Sequence, residues 1–137
     1  MRDRSDALKR ARFSLKIDVK PEDIDELGHV NNVVYLQWAQ LVAASHWQEL
    51  STPEIRSRHL WVALRHEIDY ISPAFLNDVV IGYTWVSSVD GVRSVRHVDF
   101  YRSDKCLARA QTNWCLLDAA TLKPTRIAQG IKALLEH

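Results

Sequence analysis

The sequence predicts an α+β domain in which a five-stranded antiparallel sheet wraps one long central helix. Three observations lead there. Residues 12–20 alternate apolar and polar without a break. Residues 33–50 form a long segment with no Gly or Pro, apolar around most of its girth. Four further strand patterns then follow in hairpin succession. A helix laid against an antiparallel sheet lets both bury their apolar faces. With 137 residues the chain has the size of one domain, so 1–137 is read as a single unit.

The elements follow in order. Residues 1–11 carry mixed charge and are expected to fray. In 12–20, Phe13, Leu15, Ile17 and Val19 share one face of a strand, which Pro21 ends. A polar stretch with Gly28 leads to Asn31 and Asn32, which suit the N-cap of the next helix. That helix, 33–50, would be roughly 27 Å long. Gln37, Gln40, Gln48 and Glu49 leave it only a narrow polar stripe, so it is expected to be buried on most sides. A loop or short helix surrounds Pro53. Strand 60–71 is expected to put Leu60, Val62, Leu64, Ile68 and Tyr70 on one face and Arg65, Glu67 and Asp69 on the other. Strands 79–88, 92–102 and 106–117 follow, the first two joined by a hairpin signal at Asp90 and Gly91. A short helix over 127–135 closes the series.

Charge and composition exclude several functions. Eighteen basic against 17 acidic residues give a net charge of +1, not the basic excess of a nucleic-acid binder. No apolar run approaches the roughly 20 residues that span a bilayer, and the charged first residues do not resemble a secretion signal. Cys106 and Cys115 read as reduced thiols, so a cytoplasmic location is expected. The six histidines lack zinc-ligand spacing, and no nucleophile elbow, P-loop or dinucleotide fingerprint is present. A metal site is not expected.

Chemistry concentrates between residues 23 and 32, where Asp23, Asp25, Gly28, His29, Asn31 and Asn32 fall within ten positions. Free N–H groups at the start of the following helix make a site for a negative oxygen. An acid beside such donors is what acyl transfer needs. Taken singly, Asp25 also reads as a loop or capping acid, and His29 as a loop-holding group. Asp23 reads as a structural acid, and Asn31 and Asn32 as caps.

The segment PEDIDELGHVNNVVYLQW resembles the D-x-D-x-x-G-H-V-N-N-x-x-Y signature of hotdog-fold acyl-CoA thioesterases, in the 4-hydroxybenzoyl-CoA thioesterase-like branch. It is also similar to plant acyl-ACP thioesterases, although Leu27 stands where those carry Asn. The resemblance continues through HEIDYISPAFLNDVVI, VDFYR, CLARAQTNWCLLD and KPTRI.

The resemblance implies a hotdog fold, no cofactor, and a homodimer or homotetramer with sites at the subunit interface. It implies an acyl-CoA or aryl-CoA substrate, with Asp25 as nucleophile or general base and His29 beside it. Asn31 and Asn32 would mark the oxyanion site. Tyr35 and Trp38 are read as lining the acyl pocket. Arg93, Arg96, Arg102 and Arg126 are read as holding CoA phosphates, with Lys105 and Arg109 as further candidates. The apolar edge strand 60–71 is expected to pack across a two-fold axis. Alternatives are an acyl-ACP thioesterase, a hotdog hydratase, or a non-catalytic acyl-CoA-binding protein.

Overall fold

The computed structural model describes residues 4–137. Its elements are α1 (Arg4–Arg10), β1 (Phe13–Asp18), a single 3-10 turn (Pro21–Asp23), α2 (Asn32–Leu50), α3 (Pro53–Arg58), β2 (His59–Tyr70), β3 (Val79–Asp90), β4 (Arg93–Arg102), β5 (Lys105–Asp118) and α4 (Gln129–Glu136). The five strands form one antiparallel sheet in the order β1-β3-β4-β5-β2. Both β1 and β2 are therefore edges, and α2 lies across the middle of the sheet.

The alternation of β1 holds, with Ile17 and Val19 buried and the intervening residues exposed. Asn31 caps α2: its side-chain oxygen accepts the Val33 N–H at 3.1 Å. The buried side of α2 is Val34, Tyr35, Trp38, Ala39, Val42, Ala43 and His46, a single stripe at helical spacing. Val34, Tyr35, Trp38, Ala39 and Val42 of this stripe pack on Ile17, Val80, Val98, Phe100 and Ala110 of the sheet.

Several expectations need correcting. Only one stripe of α2 is covered within the chain, since Val33 and Leu41 are exposed. Of the first eleven residues, 1–3 lie outside the described residues. Residues 4–10 are helical rather than frayed, because Ala7 is buried against Tyr83 and Tyr101 on the other face of the sheet. The first hairpin turns on Gly91 and Val92, not Asp90 and Gly91, because Asp90 still pairs with Arg93. Gly91 takes the positive φ of 63° that this tight reversal requires.

The largest correction concerns β2. Its pairing with β5 slips by one residue between Ala63 and Arg65. An extra residue in one strand reverses which side chains face the core. Leu60, Val62 and Leu64 are therefore exposed, while Trp61 and, past the bulge, Ile68 pack inward.

Helix and sheet approach closely at Gly82. A Cβ added there would lie 2.9 Å from Val42 Cγ2 and 3.4 Å from Phe100 Cε1. Val42 is fully buried and its branched side chain is stiff on a helix. Gly82→Ala should therefore destabilise by about 1–3 kcal/mol despite the better strand propensity of Ala. Urea unfolding checks this. Combined with Val42→Ala, the loss should be smaller than the sum of the two singles; strict additivity would mean the contact is not felt.

Candidate active site

The Asp25 loop is a small hairpin stitched by its own backbone. Ile24 and Val30 form an isolated bridge. The Asp25 N–H donates to His29 O at 2.9 Å, and the Gly28 N–H to Asp25 O at 3.1 Å. Gly28 has φ 83°, a conformation other residues adopt only with strain. The loop is fixed to its surroundings by Val30 N–H to Ala74 O and Asn31 N–H to Asp23 O. Asp23 in turn accepts the Lys20 N–H at 3.0 Å, the structural role read for it.

Within this loop Asp25 and His29 are brought together. Asp25 Oδ1 accepts the Leu27 N–H at 2.9 Å, which fixes the carboxylate plane. Oδ2 lies 3.9 Å from His29 Nδ1, and the two side chains are 23% and 32% exposed. One oxygen is thus anchored, and the other faces the imidazole within reach of solvent.

The helix start narrows the oxyanion expectation. The N–H of Asn31 already goes to Asp23 O, and its side chain caps Val33. The Val34 N–H goes to Asn31 O. Among the described residues, the Asn32 N–H is the first-turn donor left without a protein acceptor. Asn32 O accepts from Tyr70 Oη at 3.0 Å, tying the end of β2 to this point.

The proposed substrate contacts do not gather here. Tyr35 and Trp38 are buried in the core, edge to face with one another. Burial pushes the Tyr35 hydroxyl up to about 12, so it stays protonated at neutral pH and serves as no base. Arg102 is near the loop but engaged: it donates to Pro73 O at 3.1 Å and Asp78 Oδ2 at 2.8 Å, clamping the segment that holds Val30. Arg93 and Arg126 are exposed at the opposite end of the sheet. Arg93 and Arg102 are nine residues apart on β4, roughly 30 Å at strand rise. Arg96 is buried beneath α2 and meets no surface phosphate. His66, read as a satisfied histidine, pairs with Thr112 Oγ1 at 2.8 Å.

Sequence reasoning passed over His46, whose Nδ1 accepts from Arg96 Nη1 at 2.9 Å. The strand parity of β4, with Ser94, Val98 and Phe100 inward, was the available signal for Arg96. Among the described residues, no cluster of His, Cys, Asp or Glu has the makings of a metal site, and no helix is long and apolar enough to cross a membrane.

One long helix on a five-stranded antiparallel sheet, with an acidic loop at the helix N-terminus, defines a hotdog-fold thioesterase domain. Residues 19–135 match the Thioesterase-like superfamily, and the chain belongs to that family of thioester hydrolases. It is similar to the acyl-CoA thioesterase YbgC of Haemophilus influenzae, 26% identical over 129 residues, covering 91% of this chain and 95% of that one. Its fold matches a 1,4-dihydroxy-2-naphthoyl-CoA thioesterase from Synechocystis with a TM-score of 0.78 at 20% identity, covering 90% and 94% of the two chains. It also matches a thioesterase from Thermus thermophilus complexed with coenzyme A and Zn, with a TM-score of 0.79 at 23% identity, covering 89% and 90%.

Proposed function

We propose that this protein hydrolyses an acyl-CoA or aryl-CoA thioester to the free acid and CoA, with Asp25 as the reacting carboxylate. The observation that carries the reading is Asp25 Oδ2 facing His29 in the loop that leads into α2, where the Asn32 N–H is left without a protein acceptor among the described residues. As general base, Asp25 takes a proton from water as the oxygen attacks the thioester carbonyl. As nucleophile, Oδ2 attacks directly and forms a mixed anhydride that water then cleaves. In either route the carbonyl oxygen becomes negative, and the Asn32 N–H, aided by the helix dipole, stabilises it. Collapse expels the CoA thiolate. The coenzyme A in the Thermus neighbour and the name of the Haemophilus relative support a CoA ester.

The active unit in this reading is a homodimer formed along β2, or a tetramer of such pairs. An edge strand bearing exposed Leu60, Val62 and Leu64 gains by being covered. Antiparallel pairing of two β2 strands about a two-fold axis sets the His59 end of one protomer beside the Tyr70 end of its partner. The Tyr70 end carries the Asp25 loop, and the His59 end carries Arg93 and Arg126. These two arginines then approach the partner's site and can meet CoA phosphates there.

Screening CoA esters of varied chain length, with aryl-CoAs, for thiol release tests the activity. A hydroxyacyl-CoA product would instead indicate a hydratase, and binding without turnover a carrier. Arg93→Ala with Arg126→Ala should raise KM for CoA esters more than it lowers kcat, because remote contacts bind ground and transition state alike. An unchanged KM would remove these arginines from substrate binding.

A further inference from the structure

A cleft of about 530 Å³ opens at the far end of the sheet from Asp25, between the second half of α2 and the first residues of β2. Trp47, Trp61 and Trp114 form much of its wall, and Ser94 and Arg96 lie at its floor. The cleft is lined by two cations, Arg56 and Arg96, and by no Asp or Glu. Arg56 is engaged with the carbonyls of Gln48 and Ser51. The ring of His59, also at the rim, bonds Ile55 O at 2.8 Å.

Arg96 is the anomaly. It is 5% exposed, yet among the described residues no carboxylate pairs with it. Its Nη1 donates to His46 Nδ1 at 2.9 Å and to Thr84 Oγ1 at 3.0 Å. Thr84 Oγ1 in turn donates to His97 O at 2.7 Å. Neither neighbour carries negative charge: burial and Arg96 itself hold His46 down to about 4, so its ring is neutral. Burial lowers Arg96 only to about 10, so the guanidinium stays charged at neutral pH. Of its five N–H donors, those on Nε and Nη2 have no protein acceptor among the described residues. The Trp114 ring forms part of the same cleft wall. A buried cation without a counter-charge is costly, and the free donors of Arg96 call for a ligand that brings acceptors.

We propose that this cleft receives the far end of the acyl group, and that Arg96 selects acyl chains ending in a carboxylate. The apolar part of the chain lies against the tryptophans, and the terminal carboxylate accepts from Arg96. This rests on the thioesterase reading and on pairing along β2. Residues 59–63 of β2 border the cleft, while Tyr70 at the other end touches Asn32 beside the Asp25 loop. Antiparallel pairing therefore sets the cleft of one protomer next to the reacting carboxylate of its partner. Arg96 is a specificity residue here and touches no reacting atom.

The test compares thiol release from two series of CoA esters matched in length: glutaryl, adipoyl and suberoyl against pentanoyl, hexanoyl and octanoyl. The wild type should favour the carboxylate-ended member of the best pair by roughly tenfold or more in kcat/KM. Arg96→Met should reverse that preference by lowering the carboxylate series alone, while Arg96→Lys keeps part of it. Should Arg96→Met fail to fold, competition on the wild type replaces it: adipate should inhibit well below the concentration at which hexanoate does. Equal efficiency for both series, equal loss of both in Arg96→Met, or equal inhibition by the two acids would overturn the selection while leaving the thioesterase reading intact. Hydrolysis of neither these nor any other CoA ester would overturn the thioesterase reading and the selection with it.

Discussion

Asp25→Asn is expected to fold, assemble and bind acyl-CoA as the parent does, and to lose at least roughly a hundredfold in kcat. The geometry makes this substitution a clean one. The amide oxygen can still accept the Leu27 N–H, as Asp25 Oδ1 does at 2.9 Å, so the loop keeps its shape. What changes is the second atom, which faces His29 and would carry an NH2 group in place of a charged oxygen. An amide neither takes a proton from water nor attacks a thioester at a useful rate, so both routes fail together. His29→Ala should cost less, because at 3.9 Å its ring nitrogen makes no short hydrogen bond to the carboxylate. Asp23→Asn should mainly lower the thermal midpoint, since Asp23 holds the Lys20 N–H. Steady-state thiol release, with mass spectrometry to detect deamidation back to Asp, checks the set. Near-normal turnover in authentic Asp25→Asn would remove Asp25 from the mechanism and leave His29 as the next candidate. Glu67, on the edge strand, is engaged with Arg65.

The second large effect is expected at the sheet edge. Val62→Asp with Leu64→Asp should convert a dimer to a folded monomer, with turnover falling at least a hundredfold. Both side chains are exposed within one chain, so the substitutions add charge without cutting into the core. Like charges brought together across a two-fold axis, and desolvated there, oppose association strongly. In the proposed dimer, loss of turnover follows because the cleft and the Asp25 loop stand at opposite ends of one protomer and would meet only across the pair. Light scattering reads the assembly, circular dichroism the fold and thiol release the activity. A fully active monomer would place the whole site within one chain. A wild type that is already monomeric at micromolar concentration would end the dimer reading.

The loop carrying Asp25 was legible because its determinants are local. Gly28 at φ 83° and the Asn31 cap each act within a few residues, and the sequence order of Asp, Gly, His and Asn places them without reference to the rest of the chain. Which helix N–H remains free was not legible. Asn31 and Asn32 look alike as sequence, and only the bond from Asn31 N–H to Asp23 O separates them. The arginines fared worse for a related reason: a charge in a strand pattern says nothing of its partner. Arg102 proved to be a clamp on Asp78, and Arg96 a buried donor to His46, fifty residues away in the chain.

By itself, the sequence determined the order of the five strands and the long helix, the inward face of β1, the cap of that helix, and the acidic loop before it. These follow from periods of two and 3.6 residues and from turn chemistry, which act over a few positions. Tertiary structure alone decided the rest. The slip between Ala63 and Arg65 reverses the inward face of β2, because a register is a relation to the partner strand β5. Ala7 turns a charged leader into a docked helix because Tyr83 and Tyr101 offer it a place. The cleft over Arg96 exists because α2, α3, α4 and the three strands β2, β4 and β5 close around it, and no segment read alone contains that space.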